Sequence, residues 1–345
     1  MKIAFLLPSL ANKAPIIVAN ELVRLLLEKG HSCDVYYFDD ICELPFACST
    51  YRVNFFSKID FASYDIIHSH GLRPDLYIFF HKPLIKSKCR FVSTIHSYIF
   101  KDLLYTYNSC VAIIAGCLWV LSLYRQDSIV VLSENAKEYY RKWLPASKLH
   151  VAYNTRNINF NISPEPEDIA IIQRFKGESK LIGVNAFLSP VKGIDMLIKA
   201  LALLSGVKLC IIGTGQSKDE LMALSRKLEV DDRCLFLGYR ADAYRYLPLY
   251  DVYAMPSRSE GFPLTLLEAA IYSKPFICSD IPIFRELLLD NEASFFGLDD
   301  INSLKNAISY GLCHNDIGNN LHMKYMKLFS PSIFLNRYLK IYKSR

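Results

Sequence analysis

None of the ten cysteines forms a Cys-x-x-Cys pair. The nearest two, Cys42 and Cys48 in CELPFAC, have no ligand cluster beside them. That spacing excludes a disulfide framework and a zinc ribbon, and leaves reduced thiols serving as small buried hydrophobes. His68 and His70 in HSHG lack a third ligand at useful spacing, so neither a metal site nor a metal cofactor is expected. A Ser-His-Asp pattern is missing, and GTGQSK (213–218) lacks the spacing of a P-loop. Lysine and arginine never gather into a dense stripe, which excludes nucleic acid as a partner despite a net charge of +6. Low-complexity segments and short-period repeats are absent. No apolar run approaches the ~20 residues of a membrane span. The longest, Val111 to Leu123 inside LLYTYNSCVAIIAGCLWVLSLYR (103–125), predicts a buried or membrane-grazing helix.

What is present is a globular chain of 345 residues, 52% apolar and 21% charged, long enough for two domains with separate cores. MKIAFLLPSL reads as a first strand, because its apolar run is brief and Pro8 follows with no small-residue cleavage site. KIAFLLP (2–8) leads into a helical period over 15–29 that Gly30 ends. CDVYYF, YDIIHSH, FVSTIH, SIVVLS and LHVAYN follow as short strands rich in branched and aromatic residues. TRNINFNISPEPED (155–168) breaks the rhythm and reads as a linker. The pattern then restarts with LIGVNA, VKLCIIG, CLFLG, DVYAMPS and PFICS. Apolar strands separated by helices predict parallel sheets covered on both faces. The expected fold is therefore α/β, two tandem doubly wound domains facing a central cleft. The expected boundaries are 1–158, 159–330, and a last helix over 331–345 returning to the first domain. Ligands of such sheets bind beyond the carboxyl ends of the strands.

SRSEGFPLTLLEAA (257–270) places Glu260 and Glu268 eight positions apart. With 14 glutamates in the chain, chance alone gives about 0.6 such pairs, so spacing by itself is a weak signal. The setting says more. A strand ends, a loop follows, and Pro263 stands where a helix would begin. Backbone amides around Gly261, Phe262 and Leu264, with a positive helix end behind them, suit a phosphate or a sugar hydroxyl. Glu260 could accept hydrogen bonds from sugar hydroxyls and Glu268 from a ribose. Against this stands the reading of Glu268 as a solvated helix face, which its neighbours Leu266, Leu267, Ala269 and Ala270 make uncomfortable.

PSRSEGFPLTLLEAA resembles the E-x7-E signature of retaining, nucleotide-sugar-dependent glycosyltransferases with the GT-B fold of two Rossmann-like domains (glycosyltransferase family 4, or glycosyl transferases group 1). NAFLSPVKGIDMLIKALALL, IIGTGQSKDEL, CLFLGYRADAYRYLPLYDVYAMPSRSEGF and KPFICSDIPIFREL follow in the family's order. YDIIHSHG and FVSTIHS fit its first half. The resemblance implies that Lys192 neutralises the donor diphosphate, where a fixed cation favours departure of the nucleoside diphosphate. It implies that Glu260 holds the transferred sugar and Glu268 the ribose. Gly261, Phe262 and Leu264 match its backbone donors, and Tyr239 and Arg240 lie where the family meets the base through the main chain. His96 matches a histidine beside the transferred sugar; a histidine capping a strand end is the bland alternative. Two departures stand out. Ala186 and Phe187 replace a Gly-Arg pair whose arginine also binds phosphate, and SLANKAP (9–15) lacks a glycine pair. Lys13 or Arg258 is the candidate to compensate.

The expected activity is transfer of a hexose or N-acetylhexosamine from a nucleotide diphosphate sugar, a UDP-sugar, with no cofactor. The expected acceptor is a lipid-linked oligosaccharide of bacterial O-antigen or capsule. Residues 1–160 carry 18 Lys/Arg against 13 Asp/Glu, which suits the anionic cytoplasmic membrane surface or merely solubility. The expected location is cytoplasmic, peripheral at the inner face of that membrane. Two other classes fit the plan: a nucleotide-sugar 2-epimerase, and a non-catalytic sugar-nucleotide-binding subunit.

Overall fold

The computed structural model describes residues 1–84 and 88–344; Arg345, the end of the expected last helix, lies outside them. The chain forms two compact units. One is Met1–Asn157 with the chain from Phe329 onward, and the other is Ile158–Leu328.

The first unit runs β1 (Lys2–Leu7), α1 (Ala14–Glu28), β2 (Ser32–Tyr37), β3 (Ser49–Arg52), β4 (Ile66–His70), α2 (Leu72–His81), β5 (Arg90–Ile95), α3 (Ile99–Thr106), α4 (Ser109–Leu123), β6 (Ser128–Val131), α5 (Glu134–Tyr140) and β7 (Leu149–Val151). Its seven strands are parallel in the order β3-β2-β1-β4-β5-β6-β7. β4 and β6 are buried along their whole length, as strands covered on both faces must be. The edge strand β3 is exposed throughout, and its sequence STYR carries no apolar signal.

The expected single helix over 103–125 is two helices. Asn108 breaks it: its Oδ1 accepts the Val111 amide at 3.0 Å and caps α4. No helix among the described residues is long and apolar enough to cross a membrane. Yet α4 is apolar nearly all round, and Val111, Ile113, Ile114, Leu118 and Leu121 are between 45% and 62% exposed.

The second unit holds α6 (Pro166–Lys176), β8 (Lys180–Asn185), α7 (Ile194–Leu201), β9 (Val207–Ile212), α8 (Lys218–Lys227), β10 (Cys234–Gly238), β11 (Val252–Met255), α9 (Leu264–Ile271), β12 (Phe276–Ser279), α10 (Pro282–Leu287), β13 (Ser294–Phe296), α11 (Ile301–Cys313) and α12 (Asp316–Lys324). Its six strands are parallel in the order β10-β9-β8-β11-β12-β13. The acidic end of the expected linker is in fact the first turn of α6. Pro166 fits there because no amide is needed, and Glu167 and Asp168 favour the positive helix end. α13 (Pro331–Lys343) belongs to the first unit and buries Phe334, Leu335, Tyr338, Ile341 and Tyr342.

In each sheet the strand order reverses direction at its first strand: between β1 and β4, and between β8 and β11. Such switch points open a crevice at the carboxyl ends of the two strands.

Candidate functional site

The loops after β8 and β11 flank the second unit's switch point, and they bring Lys192 and Glu260 together. Lys192 Nζ lies 2.6 Å from Glu260 Oε1, with the Glu260 side chain only 9% exposed. Two features press the loops into this contact. Gly193 takes a left-handed conformation, φ +65°, and a Cβ there would sit 2.0 Å from the Pro256 carbonyl oxygen. Only glycine lets the lysine turn approach the other loop so closely. Arg258 then fastens the two: its amide donates to Val191 O at 2.7 Å, and its guanidinium to Pro190 O, Asp195 and Asp299. Burial alone would raise the Asp195 carboxyl, but the bonds from Arg258 and Lys199 bring it below the usual range. Arg258 is thus paired with protein carboxylates, Asp195 and Asp299. Phe187, at the position of the expected arginine, is 61% exposed.

Glu268 lies one turn into α9 and is buried. It shares the helix face of Leu264, Leu267 and Ile271, at i, i+3, i+4 and i+7, so it occupies a core position rather than a solvated one. Beneath it Tyr253 of β11 is buried, and burial together with the negative charge of Glu268 pushes its phenol up. Tyr253 accepts the Asn185 amide and donates to the Asn185 carbonyl, both at 3.2 Å, while Tyr250 donates to Asn185 Oδ1 at 3.0 Å. These bonds tie the ends of β8 and β11 under the site. Pro263 is the residue before α9 rather than its first, and no side chain caps the helix start. Phe262 and Leu264 are buried there and Gly261 half-buried.

The loops after β9 and β10 join the same edge. Leu188 N donates to Thr214 O at 2.9 Å and Gly213 N to Gly238 O at 2.9 Å. A Cβ on Gly213 would lie 1.8 Å from Ala186 O, which explains the glycine of GTG. Tyr239 follows β10 and is 63% exposed. The Arg240 side chain is held: Nε and Nη2 meet the Asp168 carboxylate at 2.6 and 2.8 Å, and Tyr246 donates to the same carboxylate. Arg240 keeps the Asp168 carboxyl below its ordinary range. No sequence signal marks Asp168, which stands in the acidic stretch expected as linker and lies in the first turn of α6.

In the first unit, His96 follows β5 and is half-buried. His70 ends β4, and its Nδ1 is 2.8 Å from His96 Nε2. His68 is fully buried between Tyr342 Oη (2.7 Å) and Thr94 Oγ1 (2.8 Å). Burial pushes His68 and His96 down to about 3 and His70 well below the usual value, so all three are neutral at physiological pH. Among the described residues no group of three or more His, Cys, Asp or Glu could hold a metal ion. Lys13, after β1, is exposed and precedes α1. The candidate residues therefore fall into two groups, one in each unit: Lys192, Glu260, Glu268, Gly261, Phe262, Leu264, Tyr239 and Arg240, and then His96 and Lys13.

Residues 51–160 match the family described as Glycosyltransferase Family 4, and residues 166–318 match Glycosyl transferases group 1. The chain is 30% identical over 351 residues to the O-antigen biosynthesis glycosyltransferase WclY of Escherichia coli, spanning all of this chain and 98% of that one. It is 34% identical over 154 residues, 44% of this chain and 40% of the relative, to a Campylobacter jejuni enzyme. That enzyme is named as an N-acetylgalactosamine-N,N'-diacetylbacillosaminyl-diphospho-undecaprenol 4-alpha-N-acetylgalactosaminyltransferase. Among solved structures it superposes on Anabaena HepE in complex with UDP and glucose, with a TM-score of 0.81 over the whole of both chains at 19% identity.

Proposed function

The chain belongs to the bacterial glycosyltransferases of group 1 and family 4, with the GT-B fold, and on that premise we propose a specific reaction for it. It moves a hexose or N-acetylhexosamine from a UDP-sugar to a lipid-linked oligosaccharide of O-antigen or capsule, retaining the anomeric configuration. The observation that carries this reading is the Lys192–Glu260 pair, set at a sheet switch point beside the start of α9. Donor binding exchanges that ion pair for one between Lys192 and the diphosphate, and frees Glu260 to accept hydrogen bonds from hydroxyls of the sugar. Glu268, at the core edge of α9, takes the ribose. As the bond from the anomeric carbon to the diphosphate oxygen breaks, negative charge grows on the leaving group and Lys192 stabilises it. The acceptor oxygen bonds to the same face of that carbon, and its proton passes to a diphosphate oxygen. No carboxylate nucleophile is required, unlike in a retaining hydrolase. His96, neutral, offers a hydrogen bond to substrate hydroxyls.

Two further supports come from relatives. HepE was solved with UDP and glucose, and the Campylobacter relative's name describes a diphospho-undecaprenol acceptor. The exposed apolar side of α4 suits contact with the membrane in which such a lipid resides. The enzyme then works peripherally at the inner face of the cytoplasmic membrane.

The test is incubation with a panel of UDP-sugars and a bacterial lipid extract, followed by UDP release and lipid mass. A mass gain of one sugar supports the reading. Epimerised donor would indicate the 2-epimerase instead, and tight binding without turnover a non-catalytic subunit. Glu260→Ala should abolish transfer while UDP still binds.

A further inference from the structure

We infer that His70 is a positioning residue: its Nδ1–H donates to His96 Nε2, holding His96 as the Nδ1–H tautomer with that N–H directed to substrate. The last clause rests on the reading that His96 meets the substrate.

The 2.8 Å contact between His70 Nδ1 and His96 Nε2 carries one proton. With both rings neutral, two arrangements exist. If His96 donated from Nε2, the proton of His70 would sit on its own Nε2. That atom is buried and has no hydrogen-bond partner. Among the described residues none supplies one. His68, whose ring centroid is 4.4 Å away, has both nitrogens committed to Tyr342 and Thr94. Phe5 covers the pair with centroids 5.2 and 6.1 Å from His68 and His70. A buried N–H without an acceptor is rarer in proteins than a buried acceptor without a donor. The proton of His70 therefore belongs on Nδ1, its Nε2 keeps a bare lone pair, and His96 must accept at Nε2. His96 then carries its proton on Nδ1. Among the described residues no protein group bonds that atom, and the residue is partly exposed, so the N–H faces outward as a donor of fixed direction.

Two near-parallel rings, 24° apart with centroids 5.1 Å from each other, hold this geometry. It extends to the C-terminal helix, because Tyr342 and Tyr338 of α13 clamp His68 and Thr94 behind His70. Gly71, with φ +93°, turns the chain immediately after His70 and precedes α2.

The experiment is nitrogen-15 NMR of the full chain with ring-labelled histidine, the His96 signals being identified by their loss in His96→Gln. The expected result is a protonated Nδ1 and an unprotonated Nε2 on His96. In His70→Phe, which keeps the ring but not the donor, His96 should revert to the Nε2–H form that predominates for neutral histidine in water. In His70→Asn, whose amide N–H replaces Nδ1–H, the native tautomer should persist. UDP release with the donor found in the panel should fall about tenfold in His70→Phe, the loss of one hydrogen bond, with kcat changing more than KM. His70→Asn should restore most of it. A wild-type His96 protonated at Nε2 overturns the proposal, as does a tautomer indifferent to His70→Phe. A tautomer that switches while kcat does not overturns the positioning role. Absence of transfer from every UDP-sugar counts against the proposed function instead, and the tautomer result still decides this one.

Discussion

The two units share a doubly wound plan and a switch point beside their first strand, yet the side chains near the two switch points differ in kind. In the second unit the loops after β8 and β11 carry charge. Lys192 and Glu260 pair, and Arg258 binds Asp195 and Asp299 alongside. In the first unit the ends of β4 and β5 carry three neutral histidines packed on Phe5, Thr94 and two tyrosine hydroxyls. The topology fixes where a ligand can sit, and the side chains decide what kind. A charged loop pair suits a diphosphate whose charge grows during reaction. A buried neutral cluster suits hydroxyls, which need directed hydrogen bonds and no net charge.

The contrast breaks most sharply at Lys192. Lys192→Ala should lower kcat by about 10²–10³, the usual loss for removing a group that stabilises developing charge. Steady-state UDP release measures it, and a change within threefold would remove the charged site from the chemistry.

Acid should separate the units next. Each of the three histidines has a folded pKa below its unfolded value near 6.5. The unfolded chain therefore binds more protons below pH 6.5, and the stability they contribute is lost as pH falls toward about 3. Asp75, pushed up to about 6 by burial, takes its proton earlier in the folded state and offsets one of them. The three histidines less Asp75 leave two net protons, roughly 2–3 kcal/mol per pH unit, and His31 and His150, also lowered by burial, act in the same direction. Asp168, Asp195 and Asp280 of the second unit lie below their ordinary values, so their contribution is complete above about pH 4 and lost only beneath it. Hydrogen exchange corrected for intrinsic rate, followed between pH 6.5 and 4.5, should show the first unit opening first. Earlier opening of the second unit would contradict the assignment.

Asp168→Ala sharpens the comparison inside the second unit. It leaves Arg240 and Tyr246 without their shared acceptor and should cost about 2 kcal/mol at pH 7. Because Arg240 depresses the Asp168 carboxyl, the gap from wild type should close as pH falls through its folded value. Thermal unfolding across pH measures both. The smallest expected effect lies on α4. Replacing Ile114 and Leu118 together by aspartate should weaken sedimentation with anionic lipid vesicles about tenfold, since each buried apolar side chain is worth 1.5–3 kcal/mol only when fully covered. Unchanged sedimentation would remove α4 from the membrane contact.

Much of the fold is legible in the sequence. Long apolar strands such as KIAFLL and VKLCII announce themselves, because a strand covered on both faces needs no alternation. Lys192, Glu260 and Glu268 stand out through the setting and order of their motifs rather than their spacing, and Lys192 and Glu260 meet at 2.6 Å. Less was visible where one residue decides between two structures. Asn108 splits an apolar stretch by capping α4, and STYR forms an edge strand with no buried face. PEPED looks like linker until Pro166 and Asp168 are seen opening α6. Arg240 stands out only through the family resemblance, and its partner Asp168 lies 72 positions earlier, with no local pattern to join them. In sequence His70 reads only as a poor metal ligand. Its bond to His96 exists because β4 and β5 are neighbours, a fact of the sheet rather than of the sequence.

The most direct test is calorimetric titration with UDP and with the UDP-sugar that supports transfer. Wild type should bind both, the sugar nucleotide more tightly. Glu268→Ala should weaken both alike, whereas Glu260→Ala should bind UDP normally and lose the increment due to the sugar. Two variants that bind both ligands as wild type does would contradict the assignment of these carboxylates to the nucleotide sugar.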